Sequence, residues 1–512
     1  MNARFSRVYS GELAGIDARC VEVEVDLHVG LHSFSIVGLA DKALSEARER
    51  VGAAIKNSGA KPPSQENRKI VVNLAPADVK KTGSQYDLAI AIGYLVATEQ
   101  VGKFETKDKV FLGELALDGG VRAVTGVLNV ACMARDKGFK ELYVPAANAE
   151  EAALAHGIAV FPVRTLTELM AHLEGRARIS PATHSVDFSA PVVSVDIADV
   201  RGQASAKRAL LIAACGGHHI LMSGSPGSGK TMLAQAFAGL LPALTHAEAV
   251  EVTRIYSASG ALAGRHAVTE RPFRAPHHTA SAAAVVGGGS HPRPGEISLA
   301  HKGVLFLDEL PEFRRDVLES LREPLEGGRV TIARSTGSLT LPARFILVAA
   351  MNPCPCGYYG DTRKDCACGA HEIARYKKKV SGPILDRIDL QVQVPHIELA
   401  DLSRAPVSQS PRASVGGDTK SMRETVTRVR AAQTARQGVL NGALSSKNVS
   451  EGVTLDALAQ AFFAKVWKSA TLSARGYYRL LKVARTIADI ESAPSVSEAH
   501  VAEAFAYRLR EK

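Results

Sequence analysis

Eight consecutive residues, Gly224-Ser225-Pro226-Gly227-Ser228-Gly229-Lys230-Thr231, carry the spacing G-x-x-x-x-G-K-T. Glycines let such a loop curl until its backbone N–H groups point at phosphate oxygens. A lysine at this place reaches the outer phosphates of a nucleoside triphosphate, and the threonine hydroxyl takes Mg2+. The chemistry needs a strand before the loop and a helix after it. His219-Ile220-Leu221-Met222 reads as that strand and Met232 to Leu241 as that helix. Further on, Gly303-Val304-Leu305-Phe306-Leu307-Asp308-Glu309 is an apolar run ending in two carboxylates. It reads as a buried strand, and ligands of parallel sheets sit at the carboxyl ends of strands. Asp308 would hold the Mg2+, directly or through water, and Glu309 would polarise the attacking water. A third apolar run, Phe345 to Ala350, leads to Asn352, which can orient water beside a terminal phosphate. Leu385-Asp386-Arg387-Ile388-Asp389 and Ser473-Ala474-Arg475 each offer an arginine to phosphate charge. From spacing alone each arginine reads first as a surface ion pair.

A second chemistry resides in cysteine. Cys354-Pro355-Cys356 and Cys366-Ala367-Cys368 form two C-x-C pairs nine residues apart. Four thiolates close a tetrahedral, soft shell around Zn2+, and the short loop would be clamped by it as a structural site. The gaps within each pair are tighter than the usual two to four residues. A redox disulfide pair or unligated thiols are the alternatives, and His371 is a spare ligand. Cys20, Cys132 and Cys215 are scattered singly and read as reduced, mostly buried thiols. A secreted disulfide scaffold is not built this way.

The elements that position these groups follow from the rest of the chain. At about 150 residues per domain, 512 residues suggest three or so domains. Hydrophobic residues at 46% and charged residues at 22% exclude a disordered or low-complexity chain. No apolar run approaches a membrane span, and the polar start is no secretory leader, so a cytoplasmic protein without a membrane partner is expected. A net charge of +10 is compatible with a polyanionic partner. Residues 1–175 read as mixed α/β. Val21, Val23 and Val25 alternate with acids as in a half-buried strand. Asp41 can cap a helix with Leu44, Ala47, Val51 and Ile55 on one face. Residues 176–195 read as a linker. Residues 196–402 alternate strand and helix, the pattern of a parallel sheet, and carry the cysteine loop 354–368. A second linker spans 403–421, and 422–512 is helical, with Leu472 to Ile490 amphipathic and Ser495-Val496-Ser497-Glu498 as a capping box.

Together these motifs resemble an AAA+ ATPase of the magnesium-chelatase and replicative-helicase branch. More narrowly, the chain resembles the YifB/ComM family of bacterial magnesium-chelatase-like ATPases. The strings that carry the likeness are Arg274-Ala275-Pro276-His277-His278, the stretch from Gly287 through Ser290-His291-Pro292 to Glu296, and Asn352-Pro353-Cys354-Pro355-Cys356-Gly357. The resemblance implies an α/β chain with a Lon-protease-like α+β N-terminal domain, a P-loop AAA+ parallel-sheet core and a helical C-terminal lid. It implies a homohexameric ring with ATP between subunits, Asn352 as sensor 1, Arg387 as the trans-acting arginine finger and Arg475 as sensor 2. Residues 274–297 fall at the helix-2 insert and 330–341 at the hairpin before sensor 1, both of which face DNA in the pore of related helicases. The function implied is a branch-migration DNA helicase acting in recombination of incoming DNA during natural transformation.

The Lon-like resemblance places the peptidase nucleophile near Gln85, in Lys80-Lys81-Thr82-Gly83-Ser84-Gln85-Tyr86-Asp87, and the catalytic lysine on Leu128. A Ser–Lys dyad needs both groups, and no lysine stands between Ala123 and Met133. A peptidase is therefore not expected, and the domain would bind DNA or partners. The basic run Arg375-Tyr376-Lys377-Lys378-Lys379, with Arg363 and Lys364, is either a phosphate contact or a solvated face. His277 and His278 read as loop packing or DNA contact, since no third metal ligand stands nearby. The alternative function is a chelatase-type motor that remodels a protein partner without DNA.

Overall fold

The computed structural model describes residues 4–38, 42–77, 81–102, 104–183, 194–289, 293–334, 337–361, 363–396, 418–469 and 473–508. The cap Asp41, Lys80, Ser290-His291-Pro292, Leu472, residues 184–193 of the first linker and 403–417 of the second lie outside them. Two compact units result. One comprises 1–187 with 246–268, the other 188–245 with 269–512. Among the described residues no helix is long and apolar enough to cross a membrane.

The first unit is built on seven strands: β1 (Arg4–Ala14), β2 (Asp17–Val29), β3 (Ser33–Val37), β4 (Arg68–Ala75), β5 (Lys109–Phe111), β6 (Glu141–Pro145) and β7 (Ala159–Val163). Their order is β3-β4-β2-β1-β5-β6-β7. The alternation read in β2 is real: Val21, Val23, Val25 and Leu27 are buried and the residues between them are not. Successive side chains feed opposite cores, Val8 and Phe111 on one face, Tyr9 and Val110 on the other. The helix Asp87–Ala97 is buried almost all round, and a Cβ on Gly93 would lie 2.9 Å from Val25. The helix Lys42–Asn57 buries Leu44, Ala47, Val51 and Ile55, the face its spacing predicts. The helix His246–Ser259 also belongs to this unit. Asn129 Nδ2 donates to the Arg254 carbonyl (3.1 Å), and Arg254 pairs with Asp17 at 2.9 Å.

At the place where the resemblance sets a peptidase nucleophile, the side chains are otherwise engaged. Gln85 Nε2 donates to Glu12 (2.7 Å), as do Thr82 Oγ1 (3.1 Å) and the Tyr86 hydroxyl. Ser84 Oγ donates to Glu114, and Lys81 Nζ donates to the Pro76 carbonyl. Leu128 is fully buried in the helix Val127–Asp136.

The second unit holds five parallel strands: β8 (Ile220–Ser223), β9 (Phe273–Arg274), β10 (Val304–Leu307), β11 (Ile346–Met351) and β12 (Leu390–Gln393), in the order β9-β10-β11-β8-β12. β8, β10 and β11 are buried at every residue, the continuous apolar run expected of parallel strands covered on both faces. The helices Thr419–Gln437, Ala474–Ile490 and Glu498–Ala506 share one core with this sheet. An ionic tie adds direction to the apolar contact. Asp389, 6% exposed, accepts from Arg479 (2.7 Å) and from the His219 amide (3.2 Å), and lies 3.4 Å from His218 Nδ1. Burial alone would raise the Asp389 carboxyl, but Arg479 and His218 hold it well below the usual range. The last helix starts two residues later than its capping box suggests. Val496 is still extended, exchanging hydrogen bonds with Thr454 and Asp456, so the cap is Ser497, whose amide donates to His500 Nδ1 (3.0 Å).

Burial raises the Glu12 carboxyl to about 7, against the lowering effect of the Tyr86 hydroxyl. A carboxyl raised on folding contributes stability below its unfolded pKa, about 4.3, that is lost as pH rises through its folded value. We expect Glu12→Gln to flatten the fall in melting temperature of the first unit between pH about 5 and about 8. An unchanged pH profile would refute the assignment.

Candidate nucleotide and metal sites

The phosphate loop stands where its spacing requires. β8 ends at Ser223, the loop follows, and the helix Lys230–Leu240 opens at its end. Gly229 has φ +89°, a conformation that a side chain would strain, and it hands the chain into the helix so that the first helical N–H groups face the loop. The Lys230 ammonium is 9% exposed. It donates to the carbonyls of Gly224 (2.7 Å) and Ser225 (3.0 Å) and to Asn352 Oδ1 (3.3 Å). Burial pushes its pKa down, while Asp308 and Glu309 work the other way.

Thr231 Oγ1 donates to Asp308 Oδ2 (3.1 Å), and Asp308 Oδ1 accepts the Glu309 amide (2.9 Å). A hydroxyl and a carboxylate at this separation make a hard-oxygen donor set that fits Mg2+. Thus Lys230, Thr231, Asp308 and Asn352 converge, with Glu309 beside them on a backbone with φ +51°. The Glu309 carboxylate lies 3.2 Å from His278 Nδ1. The spacing of the histidines gave no signal of that contact, because it joins the loop after β9 to the end of the neighbouring strand β10.

The two candidate arginines share one carboxylate, Glu326. Arg387, 7% exposed, pairs with Glu326 Oε1 (2.7 Å) and donates to the Pro383 carbonyl (2.6 Å). Arg475, with a side chain 60% exposed, lies 3.7 Å from the same Glu326 oxygen. It sits in the first turn of the helix capped by Ser473. Glu326 was not legible in the sequence, since Arg322-Glu323-Pro324-Leu325-Glu326-Gly327 carries no motif.

The four loop cysteines come together. Sγ–Sγ distances are 3.4 Å for Cys354–Cys356 and 3.6 Å for both Cys354–Cys366 and Cys356–Cys366. All four sulfurs, Cys368 included, lie within 4.8 Å of one another. Zinc–sulfur bonds of about 2.3 Å in a tetrahedron set the sulfurs about 3.8 Å apart, so the cluster fits that ion. Around it, Lys364 lies over the Tyr358 ring (4.3 Å) and Lys377 over Tyr359 (5.9 Å). Arg375, Lys377 and Lys378 are exposed, whereas Tyr376 of the same run is buried and Lys379 pairs with Glu312 (3.0 Å). His371 is exposed in the helix Ala370–Lys377 and is not part of the cluster.

Two insertions interrupt the sheet. After β9 come the helix Ala282–Val286, a ladder of Gly287–Gly288 with Arg293–Pro294, and the helix Glu296–Leu299. Before β11 comes the hairpin of Arg329–Arg334 with Gly337–Pro342. They touch: a Cβ on Gly287 would lie 3.1 Å from Ile332 Cδ1.

Comparison with known proteins covers the whole chain. Residues 196–402 match the family described as magnesium chelatase, subunit ChlI, residues 23–148 that described as subunit ChlI of Mg-chelatase, and residues 416–508 that described as its C-terminal part. The chain is 43% identical over 505 residues to the competence protein ComM of Haemophilus influenzae, covering 98% of this chain and 97% of that one. It is 41% identical over 503 residues to the uncharacterised protein YifB of Escherichia coli, at 98% and 97% coverage. A shorter stretch of 177 residues is 29% identical to the magnesium-chelatase 38 kDa subunit of Acidiphilium rubrum, covering 30% of this chain and 51% of that one.

The geometry sets separate expectations for the two sites. Glu309→Gln should keep nucleotide binding and slow ATP hydrolysis about 10²–10⁴-fold, the range for a lost general base. Lys230→Ala should lose binding itself. Metal analysis should find about one zinc per chain, lost in Cys354→Ser. Hydrolysis unchanged in Lys230→Ala, or a metal-free parent protein, would refute the respective site.

Proposed function

Because the chain belongs to the YifB/ComM family of magnesium-chelatase-like AAA+ ATPases, we propose that it is an ATP-driven DNA motor working as a homohexameric ring. Its task in this reading is branch migration as a helicase, in recombination of incoming DNA during natural transformation. The name of the Haemophilus influenzae relative, a competence protein, supports the setting. The observation that carries the reading is the contact between the two insertions. One hangs from β9, next to the strand bearing Asp308 and Glu309, and the other runs into β11, which bears Asn352. A load felt at their joined surface therefore has a short path to the hydrolytic groups. The exposed cations and tyrosines of the cysteine loop offer charge and π-faces of the kind that grip a nucleic-acid strand.

In this motor Lys230 and the loop Gly224–Thr231 bind the ATP phosphates, and Thr231 and Asp308 hold Mg2+. Glu309 and Asn352 position the attacking water. Arg387 completes a neighbour's site as its arginine finger, and Arg475 reports on the phosphate as sensor 2. Zn2+ at Cys354, Cys356, Cys366 and Cys368 clamps the loop beside them. The N-terminal domain is a Lon-like fold without peptidase activity, consistent with Gln85 bound to Glu12 and with Leu128 in place of a lysine. Cytoplasmic residence follows from the substrate.

The test is the ATPase rate without DNA, with single-stranded DNA and with a three-way branched DNA. Stimulation greatest for the branched form is expected. Equal rates in all three would favour a chelatase-type motor that remodels a protein partner without DNA.

A further inference from the structure

The cysteine turn is not an appendage. It starts two residues beyond Asn352, whose Oδ1 already receives Lys230 Nζ, and it folds back over the phosphate loop. A Cβ built on Gly357 would come within 2.6 Å of Pro226 Cδ, so the glycine lies directly on the loop's proline. Gly357 also has φ +89°, which a side chain would strain. On the same turn the Asp361 side chain is 2% exposed. Its Oδ1 accepts the Arg363 amide (2.9 Å), which ties the turn to itself. Cys354 is fully buried at the base of the turn, and its Sγ accepts the Tyr359 amide (3.3 Å). One short segment therefore carries the sulfur cluster, touches Pro226, and continues from the residue that contacts Lys230.

Ordering a segment of this kind costs about 1–2 kcal/mol per residue in backbone entropy. Tyr359 of the turn is largely exposed, whereas its four sulfurs are drawn to one centre and tie its two ends together. We infer that the four-cysteine turn is a wall of the nucleotide pocket, and that its clamped state sets the affinity of the Gly224–Thr231 loop for a nucleoside triphosphate. The inference rests on the nucleotide and zinc readings above and adds their linkage. Linkage is reciprocal: if the clamp tightens nucleotide binding by some factor, bound nucleotide protects the clamp by the same factor.

The experiment follows both directions in the full-length protein. The first readout is the rate at which Cys354, Cys356, Cys366 and Cys368 react with an aromatic disulfide reagent, resolved by peptide mass, with and without a non-hydrolysable ATP analogue and Mg2+. Protection of about 5-fold or more is expected, the low end of typical coupling between sites. Lys230→Ala should show none. The second readout is affinity for a fluorescent ATP analogue. Gly357→Ala should weaken it by a similar factor, and so should removal of zinc by a chelator. If Gly357→Ala does not fold, the protection of the parent protein still decides. A parent protein without zinc would end the metal reading, while thiol protection would continue to report the linkage. Thiol reactivity unaltered by an analogue that demonstrably binds overturns the inference, and failure of the analogue to bind overturns it together with the nucleotide reading.

Discussion

The buried Lys230 is the charge around which the edge of the second unit's sheet is arranged. Three oxygens satisfy it, two from its own loop and one from Asn352. The third is available only because β8 and β11 are neighbours in register, Ser223 opposite Met351, so that both strands finish at the same level. β10 lies on the far side of β11 and delivers Asp308 to the same edge, where Thr231 meets it. Strand order is thus a chemical requirement here. A sheet with β10 and β11 exchanged would keep every motif and lose the contact between Lys230 and Asn352.

The parts of this arrangement that are contiguous in sequence were the legible ones. The phosphate loop announces itself because eight adjacent residues must satisfy one ligand. The apolar runs into Asp308 and Asn352 announce strands because burial on both faces leaves no polar alternation. The clustering of four cysteines over fifteen positions was equally plain. What could not be read were bonds that join distant segments at single points: Glu326 to Arg387 and Arg475, His278 to Glu309, Gly357 on Pro226, Glu12 beneath the 82–86 turn. Each is set by where two backbones meet, and one residue's type carries no trace of that. The capping box at Ser495 failed for the same reason. A bridge from Thr454 and Asp456 keeps the chain extended past Val496, and local propensity gives way to it.

Glu326 leaves an imbalance. One carboxylate oxygen faces two guanidinium groups, and among the described residues the Nε of Arg387 is buried without a hydrogen-bond partner. A buried donor left unmet costs about 1–3 kcal/mol. Among the described residues two guanidinium groups thus share one carboxylate oxygen, and an anion arriving there would meet a site already biased in its favour. The Asp389 tie, by contrast, is closed on every side, with Arg479, His218 and the His219 amide around one carboxylate, and serves to fasten the helix Ala474–Ile490 to the sheet.

The helix His246–Ser259 has a consequence of a different kind. The chain completes the first unit, begins the second, returns to the first for residues 246–268 and then leaves for good. The units are consequently stitched by three passages of backbone, and no single nick parts them. A fragment starting near residue 188 would keep the phosphate loop yet carry a helix whose Val250 packs on the first unit's core and whose Arg254 and Ser257 bind Asp17 and Glu151 there. The complementary fragment would lack the cover that this helix gives to the helix Val127–Asp136. Dissection by truncation would expose apolar surface in both halves, so the two units are inheritable only together: an insertion or deletion in either must respect a thread that passes through the other.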